Sequence, residues 1–138
     1  MQHIKIKPGV ALAEQAEIGH NRWHPDIPFL TSVKPGEEIL IESLDFLDAQ
    51  IKDTDDVSDV KNVDLTRAHP LTGPFYVEGA EPGDLLVIDL LDIQPISTVG
   101  FSGVFAKENG GGFLADYFPE ADKAIWDLKG LFATSRHI

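Results

Sequence analysis

The chain has 138 residues, of which 43% are hydrophobic and 25% charged, and its net charge is −12. That length fits one domain with a moderate core, and the acidic balance excludes nucleic acid and anionic membrane as partners, since both demand basic patches. The chain holds no cysteine, which removes disulfides, a thiolate nucleophile and a cysteine-type zinc site.

Glycine and proline together contribute 21 residues, a composition that favours turns and short strands over long helices. In chain order, Met1 to Lys7 alternates weakly and reads as an edge strand. Met1 to Pro8 is polar and lacks the apolar region of a signal peptide, so a soluble cytoplasmic protein is expected. Val10 to Ile18, rich in Ala and Glu, reads as a short helix, and Gly19 to Leu30 as a loop. Val33-Lys-Pro-Gly-Glu37 is a turn with Pro and Gly placed for type II geometry. It leads into Glu38 to Leu44, an apolar strand candidate.

The same phrase returns 47 residues later. Lys34 to Asp45 and Glu81 to Asp92 share Pro, Gly, Ile, Leu and Asp at five of twelve positions. Two turn-strand units in related places are implied, by duplication or by two independent Pro-Gly turns. Between them lies the acidic run Asp53-Thr-Asp-Asp-Val-Ser-Asp59. A calcium loop would need Gly at its sixth position and Glu at its twelfth, but Ser58 and Asp64 stand there, so a solvated acidic loop is expected. Pro70 to Pro74 is a turn region and Phe75 to Glu78 a short strand. Residues 85–93 carry the strongest strand signal; their apolar run is broken by Asp89 and is far too short to span a bilayer. Gly100 to Phe118 is glycine-rich and aromatic. Ala121 to Phe132 has the β-formers of a strand, though a helix is open. The whole reads as mainly β, a sandwich or barrel with long functional loops.

Several segments could carry chemistry. His20-Asn-Arg-Trp-His-Pro-Asp-Ile-Pro28 is densest in groups that bind and transfer protons. His20 and His24 have the spacing of two ligands on a helix face, but Pro25 and Pro28 make that helix improbable. Neutral imidazole can still serve as base or ligand. The alternative is a packed loop anchored by Trp23. Asp45, read as ending a strand, is placed to activate water, with Gln50 to orient an amide. His69, at a constrained turn beside Pro70, reads without further context as a surface or capping group. Lys107-Glu-Asn-Gly-Gly-Gly112 lacks phosphate-loop spacing. Its glycines, Gly111 among them, can bring backbone N–H groups to an oxyanion, and Glu108 is a candidate acid or base; a plain flexible turn is the alternative.

These segments, in this order, resemble the acetamidase/formamidase family. The resemblance is carried by His20 to Pro28, Val33-Lys-Pro-Gly36, Asp45 with Gln50-Ile51, and Val63-Asp-Leu-Thr66. Thr72-Gly-Pro-Phe-Tyr-Val-Glu-Gly-Ala-Glu-Pro-Gly-Asp84 and Phe105 to Leu114 add to it. It covers residues 18 to 138. The His20 and Glu108 loops look like the formamidase branch. The resemblance implies a largely β, cytoplasmic homo-oligomer that hydrolyses short amides to ammonia and a carboxylate. It also implies an N-terminal part of a longer domain, completed by a C-terminal remainder on the same or a second chain. The ending Ser135-Arg136-His137-Ile138 fits a cut inside a domain.

With no cysteine, and with Ser102-Gly103 outside a Gly-x-Ser-x-Gly frame, the nucleophile expected is water activated by carboxylate, histidine or metal. Asp45, Gln50, His69 and Glu108 are the expected catalytic group. His20, Trp23, His24 and Gly111 are expected at the substrate, with Trp23 closing a small pocket. A divalent ion, zinc or calcium, would find its candidate ligands in Asp45 and His69. Two other readings stand beside this one: a non-catalytic β ligand-binding or assembly module, and an amidase of the same family acting on a larger or cyclic amide such as a lactam.

Overall fold

A computed structural model describes all 138 residues. Strands make up 25% of the chain and helical turns 10%, so the mainly β expectation holds. The strands are β1 Gln2–Ile4, β2 Gly19–His20, β3 Thr31–Val33, β4 Ile39–Ile41, β5 Leu71–Thr72, β6 Phe75–Val77, β7 Val99–Val104, β8 Asp122–Lys129 and β9 Phe132–Ser135. One short α-helix, α1, spans Ser58–Lys61, and 3-10 turns form at Leu12–Gln15, Leu65–Arg67 and Lys107–Asn109.

The strands pair in small ladders. β1 runs parallel to β4 and β3 parallel to β6, while β2 is antiparallel to β5. β7, β8 and β9 form an antiparallel meander with β8 in the centre. The Val33–Glu37 turn forms as expected: Glu37 N–H donates to the Lys34 carbonyl at 3.0 Å, and Gly36 has φ +81, the left-handed value a type II turn requires.

The apolar core is small. Ile6, Leu12, Leu47, Val60, Val63 and Ile125 are its larger members. Three polar side chains are buried with it, and each is satisfied. Gln15 accepts from Lys7 N–H at 2.9 Å and donates to the Val10 carbonyl at 2.9 Å, closing the loop before it. Lys123, on β8, donates to Asp59 at 2.8 Å and to the Lys52 carbonyl at 3.2 Å. Asp48 is the third and belongs to the site described below. A buried charge without such partners would be strongly destabilising, so these bonds fix the joints between elements.

Three expectations are corrected. Residues 85–93 form no strand, because no other segment of the chain lies alongside to complete a ladder. Asp45 does not end a strand: β4 stops at Ile41, and Asp45 instead opens a turn. The helix expected over Val10 to Ile18 is a single 3-10 turn, Leu12–Gln15, followed by a turn in which Ile18 N–H donates to the Gln15 carbonyl at 2.9 Å, just before β2 begins at Gly19. The acidic run is a solvated loop as expected, with Asp53 and Asp55 51% and 74% exposed, and its carboxylates also bind within the chain. Asp53 and Asp55 hold Arg136 at 2.9 and 3.0 Å, Asp56 accepts from Ser58, and Asp59 binds Lys123. Ala121 to Phe132 resolves in favour of strand, as β8 and the start of β9.

Candidate active site

Three stretches that carry expected site residues hydrogen-bond onto one segment, Lys61 to Thr72. From the first, Asn21 Nδ2 donates to the Thr66 carbonyl at 2.9 Å, and Arg22 Nη1 reaches the same oxygen at 3.3 Å. β2 then places His20 opposite Leu71 on β5. Only glycine fits before it, because a Cβ on Gly19 would collide with the Leu71 carbonyl and the Leu12 side chain. From the second stretch, Gln50 Nε2 donates to the Asp64 carbonyl at 3.1 Å while its Oε1 accepts from Asp64 N–H at 2.9 Å. His69 N–H donates to the Phe46 carbonyl at 2.8 Å. From the third, Asn109 Nδ2 donates to the Val63 carbonyl at 2.9 Å, and Glu108 lies 3.8 Å from Lys61.

The expected residues take distinct places in this arrangement. Asp45 gives one oxygen to Leu47 N–H at 2.9 Å and the other to Ala49 N–H at 3.0 Å, so its carboxylate organises the 46–49 turn. Gln50 locks that turn to Asp64. The His69 ring lies tilted against the Phe46 ring, centroids 5.9 Å apart, and the backbone of His69 is what the fold grips. His20 Nδ1 lies 2.7 Å from the Arg22 carbonyl. A carbonyl only accepts, so Nδ1 carries the proton and Nε2 is the bare nitrogen. His24 Nδ1 accepts from Asp26 N–H at 3.2 Å, which puts its proton on Nε2. Trp23 is 89% exposed at the tip of this loop. Gly111 has φ +56 and donates to the Ala106 carbonyl at 2.9 Å; a Cβ there would press on Ala115 and Lys107.

The backbone singles out this junction. Three residues other than glycine have positive φ: Asp48 (+58), Ala49 (+59) and His69 (+61). All three sit where the 45–50 turn meets the 61–72 segment. Such conformations cost of order 1–3 kcal/mol each and persist where the surroundings over-determine them, as they do at functional sites. Asp48 supplies much of that constraint. Its side chain is 3% exposed; Oδ1 accepts from Leu12 N–H at 2.6 Å, and Oδ2 accepts from Arg67 Nη2 at 2.8 Å and Nε at 3.0 Å. Asp64 completes it by capping the 65–67 turn, and the Thr66 hydroxyl and N–H hold its carboxyl below the ordinary aspartate value.

Asp48, Arg67, Asp64 and Asn21 are the residues sequence reasoning missed as parts of the site. The one available signal was aspartate's tolerance of left-handed backbone at position 48. A polar cleft of about 360 Å³ lies alongside, walled by Glu14, Asp48, Gln50, Lys52, Asp59 and Arg67. Of the expected site residues only Gln50 reaches it, so the cleft backs the junction. No three His, Asp or Glu side chains of the chain converge as a metal set. Asp45 and His69 would need further ligands from elsewhere to hold an ion.

Residues 5–138 match the Acetamidase/Formamidase family. The chain belongs to that family. It is 57% identical over 121 residues to a formamidase of Methylophilus methylotrophus, a match that covers 86% of this chain and 30% of the relative. It is 53% identical over 137 residues to an acetamidase of Mycolicibacterium smegmatis, covering 93% and 34%. Among solved structures, the gamma lactamase from Delftia acidovorans superposes with a TM-score of 0.92 at 48% identity, covering all of this chain and 34% of that one. The chain therefore spans about a third of the length of the relatives it matches. No helix is long and apolar enough to cross a membrane.

Proposed function

We propose that this chain supplies one wall of the active site of a cytoplasmic, homo-oligomeric amidohydrolase. The enzyme cleaves the C–N bond of a short aliphatic amide, formamide or acetamide, to ammonia and a carboxylate. The observation that carries the reading is the gathering of every left-handed residue other than glycine at the junction that holds His69. The names of the formamidase and acetamidase relatives give the reaction class. In this mechanism His69 takes a proton from water, and the hydroxide oxygen attacks the amide carbonyl. The proton passes to the amide nitrogen, the C–N bond breaks, and ammonia leaves with the carboxylic acid, which gives up its remaining proton to water or ammonia to become the carboxylate. Asp45 and Gln50 act by holding the junction that presents His69. Glu108 and Gly111 border it, while His20, His24 and Trp23 line the entry for substrate. The rest of the family fold completes the pocket, and any divalent ion would draw ligands from it.

The test uses the chain together with the remainder of the family fold and follows ammonia release from formamide and acetamide. His69→Asn removes the imidazole yet keeps a residue that tolerates left-handed backbone. The expected loss in kcat is about 100-fold or more, the usual worth of a general base. Unchanged kcat would remove His69 from the mechanism, and no ammonia from either amide with the unmodified protein would overturn the amidase reading. The similarity to a gamma lactamase favours a second reading, in which the substrate is a cyclic amide. Ring opening gives an amino acid and no ammonia, so assaying both products on one sample separates the two.

A further inference from the structure

The turn at residues 45–50 and the segment at 64–69 are tied at three points, and the ties run in antiparallel order. His69 N–H donates to the Phe46 carbonyl at 2.8 Å, Arg67 binds Asp48, and Gln50 exchanges two hydrogen bonds with Asp64. Alternate residues of the turn thus meet successive points of the other segment. Only the His69 tie joins backbone to backbone. The other two are made by side chains, so residue type decides whether they hold.

The middle tie is the buried and charged one. The Asp48 side chain is 3% exposed, and its Oδ2 accepts from Arg67 Nη2 at 2.8 Å and Nε at 3.0 Å. Arg67 Nη2 also reaches the Asp48 carbonyl at 3.3 Å. Asp48 Oδ1 accepts from Leu12 N–H, so one carboxylate seats both segments on the 3-10 turn at Leu12–Gln15. Every contact in this set is made within the chain. Only Ala68 separates Arg67 from His69, whose φ is +61. A histidine held in left-handed backbone relaxes to an ordinary conformation when its surroundings release it. The two contacts His69 makes across the junction, its N–H bond and its ring against Phe46, both come from residue 46. They move with the 45–50 turn, and the Asp48–Arg67 pair fixes that turn against the chain beside His69.

We propose that Asp48 and Arg67 are positioning residues for His69: their ion pair holds the backbone at 67–69 in the conformation that presents the imidazole to the reacting water. The proposal rests on the reading of His69 as the general base. Neither Asp48 nor Arg67 acts on the substrate in this role. A base misplaced by about 1 Å loses on the order of 100-fold in rate. The contribution of the pair therefore falls on kcat and not on KM.

The experiment is a double-mutant cycle on ammonia release, in the chain joined to the remainder of the family fold and below the unfolding midpoint of every variant. Asp48→Asn tolerates the left-handed backbone but has one oxygen where the carboxylate has two, so it keeps Leu12 or Arg67 and not both. Arg67→Lys leaves Asp48 opposite a cation and removes the paired N–H groups. Each should lower kcat about 10- to 100-fold with KM within about twofold of its original value. Added to His69→Asn, either one should lower kcat no further, because no imidazole is left to misplace. The same fold-loss with and without His69 would overturn the proposal, since the pair would then serve the fold as a whole. Unchanged kcat in Asp48→Asn and Arg67→Lys, beside a large loss in His69→Asn, would overturn it too and leave the amidase reading intact. Unchanged kcat in His69→Asn would remove the base and its positioning residues together.

Discussion

The two Pro-Gly repeats begin alike and end differently. In both, the turn closes: Glu37 N–H donates to the Lys34 carbonyl and Asp84 N–H to the Glu81 carbonyl, each at 3.0 Å. Even the side-chain brace is repeated, with Glu37 accepting from Lys34 N–H at 3.1 Å and Asp84 from Glu81 N–H at 2.9 Å. Beyond the turn they part. Ile39–Ile41 pairs with Gln2–Ile4, and Glu42 then accepts from His3 at 2.8 Å and Ile6 N–H at 3.1 Å. Ile88 and Asp89, the counterparts of Ile41 and Glu42, meet nothing. A turn is a property of four residues and their φ angles, while a strand is a property of two segments.

The first repeat also runs on into the Asp45–Gln50 turn, which Asp48 locks to Arg67. The largest effect is expected there. Asp48→Ala should lower stability by about 3 kcal/mol, because it unpairs a partly buried guanidinium and orphans Leu12 N–H. Asp48→Asn should cost less, since an amide oxygen can still accept from Leu12 and asparagine tolerates φ +58. Urea midpoints of the two variants check the order. Equal midpoints would mean that neither the Leu12 bond nor the left-handed backbone matters at this position.

Next in size is a matched glycine pair. Gly36 (φ +81) and Gly83 (φ +107) both have open space where a Cβ would stand, so only backbone strain opposes alanine. The cost should be about 1–2 kcal/mol in each case once both repeats are paired. In this chain by itself, the unfolding midpoint should register Gly36→Ala and not Gly83→Ala, because the second turn leads to nothing that cooperates with the fold. A shift of equal size from both variants would show that the second repeat is already coupled to the core.

What was legible in the sequence follows the same division. Pro35-Gly36 and Pro82-Gly83 announce their turns because the chemistry is local. β8 could be read from its own β-formers. Residues 85–93 misled because an apolar run states that a strand is wanted and not that a partner is at hand. The site was half legible. His20, Gln50 and His69 were marked by residue type beside proline, glycine or a strand end, and all pair with or lie in the 61–72 segment. Asp48 and Arg67 were not, because their pairing across 19 residues is set by tertiary contact. Asp45 was found for the wrong reason, as a strand end, when its role in the structure is to bind the amides of a turn.

The smallest expected effect contrasts Glu42 with Asp89. His3 and the Ile6 amide, both donating to Glu42, hold its carboxyl below the ordinary glutamate value near 4.5. A carboxyl lowered on folding contributes stability that is present above its unfolded value and is lost as pH falls through the folded one. Acid should therefore loosen the β1–β4 ladder as pH drops below about 4.5, and Glu42→Gln should remove that part of the acid sensitivity. Asp89→Asn should leave the protection of residues 2–6 and 39–42 as it was, since nothing here donates to Asp89. Amide exchange of residues 2–6 and 39–42 from pH 6 to pH 3 reads the effect at its source. If Glu42→Gln and the unmodified chain lost protection over the same pH range, the carboxylate clasp would not be what joins the first repeat to the amino-terminal strand.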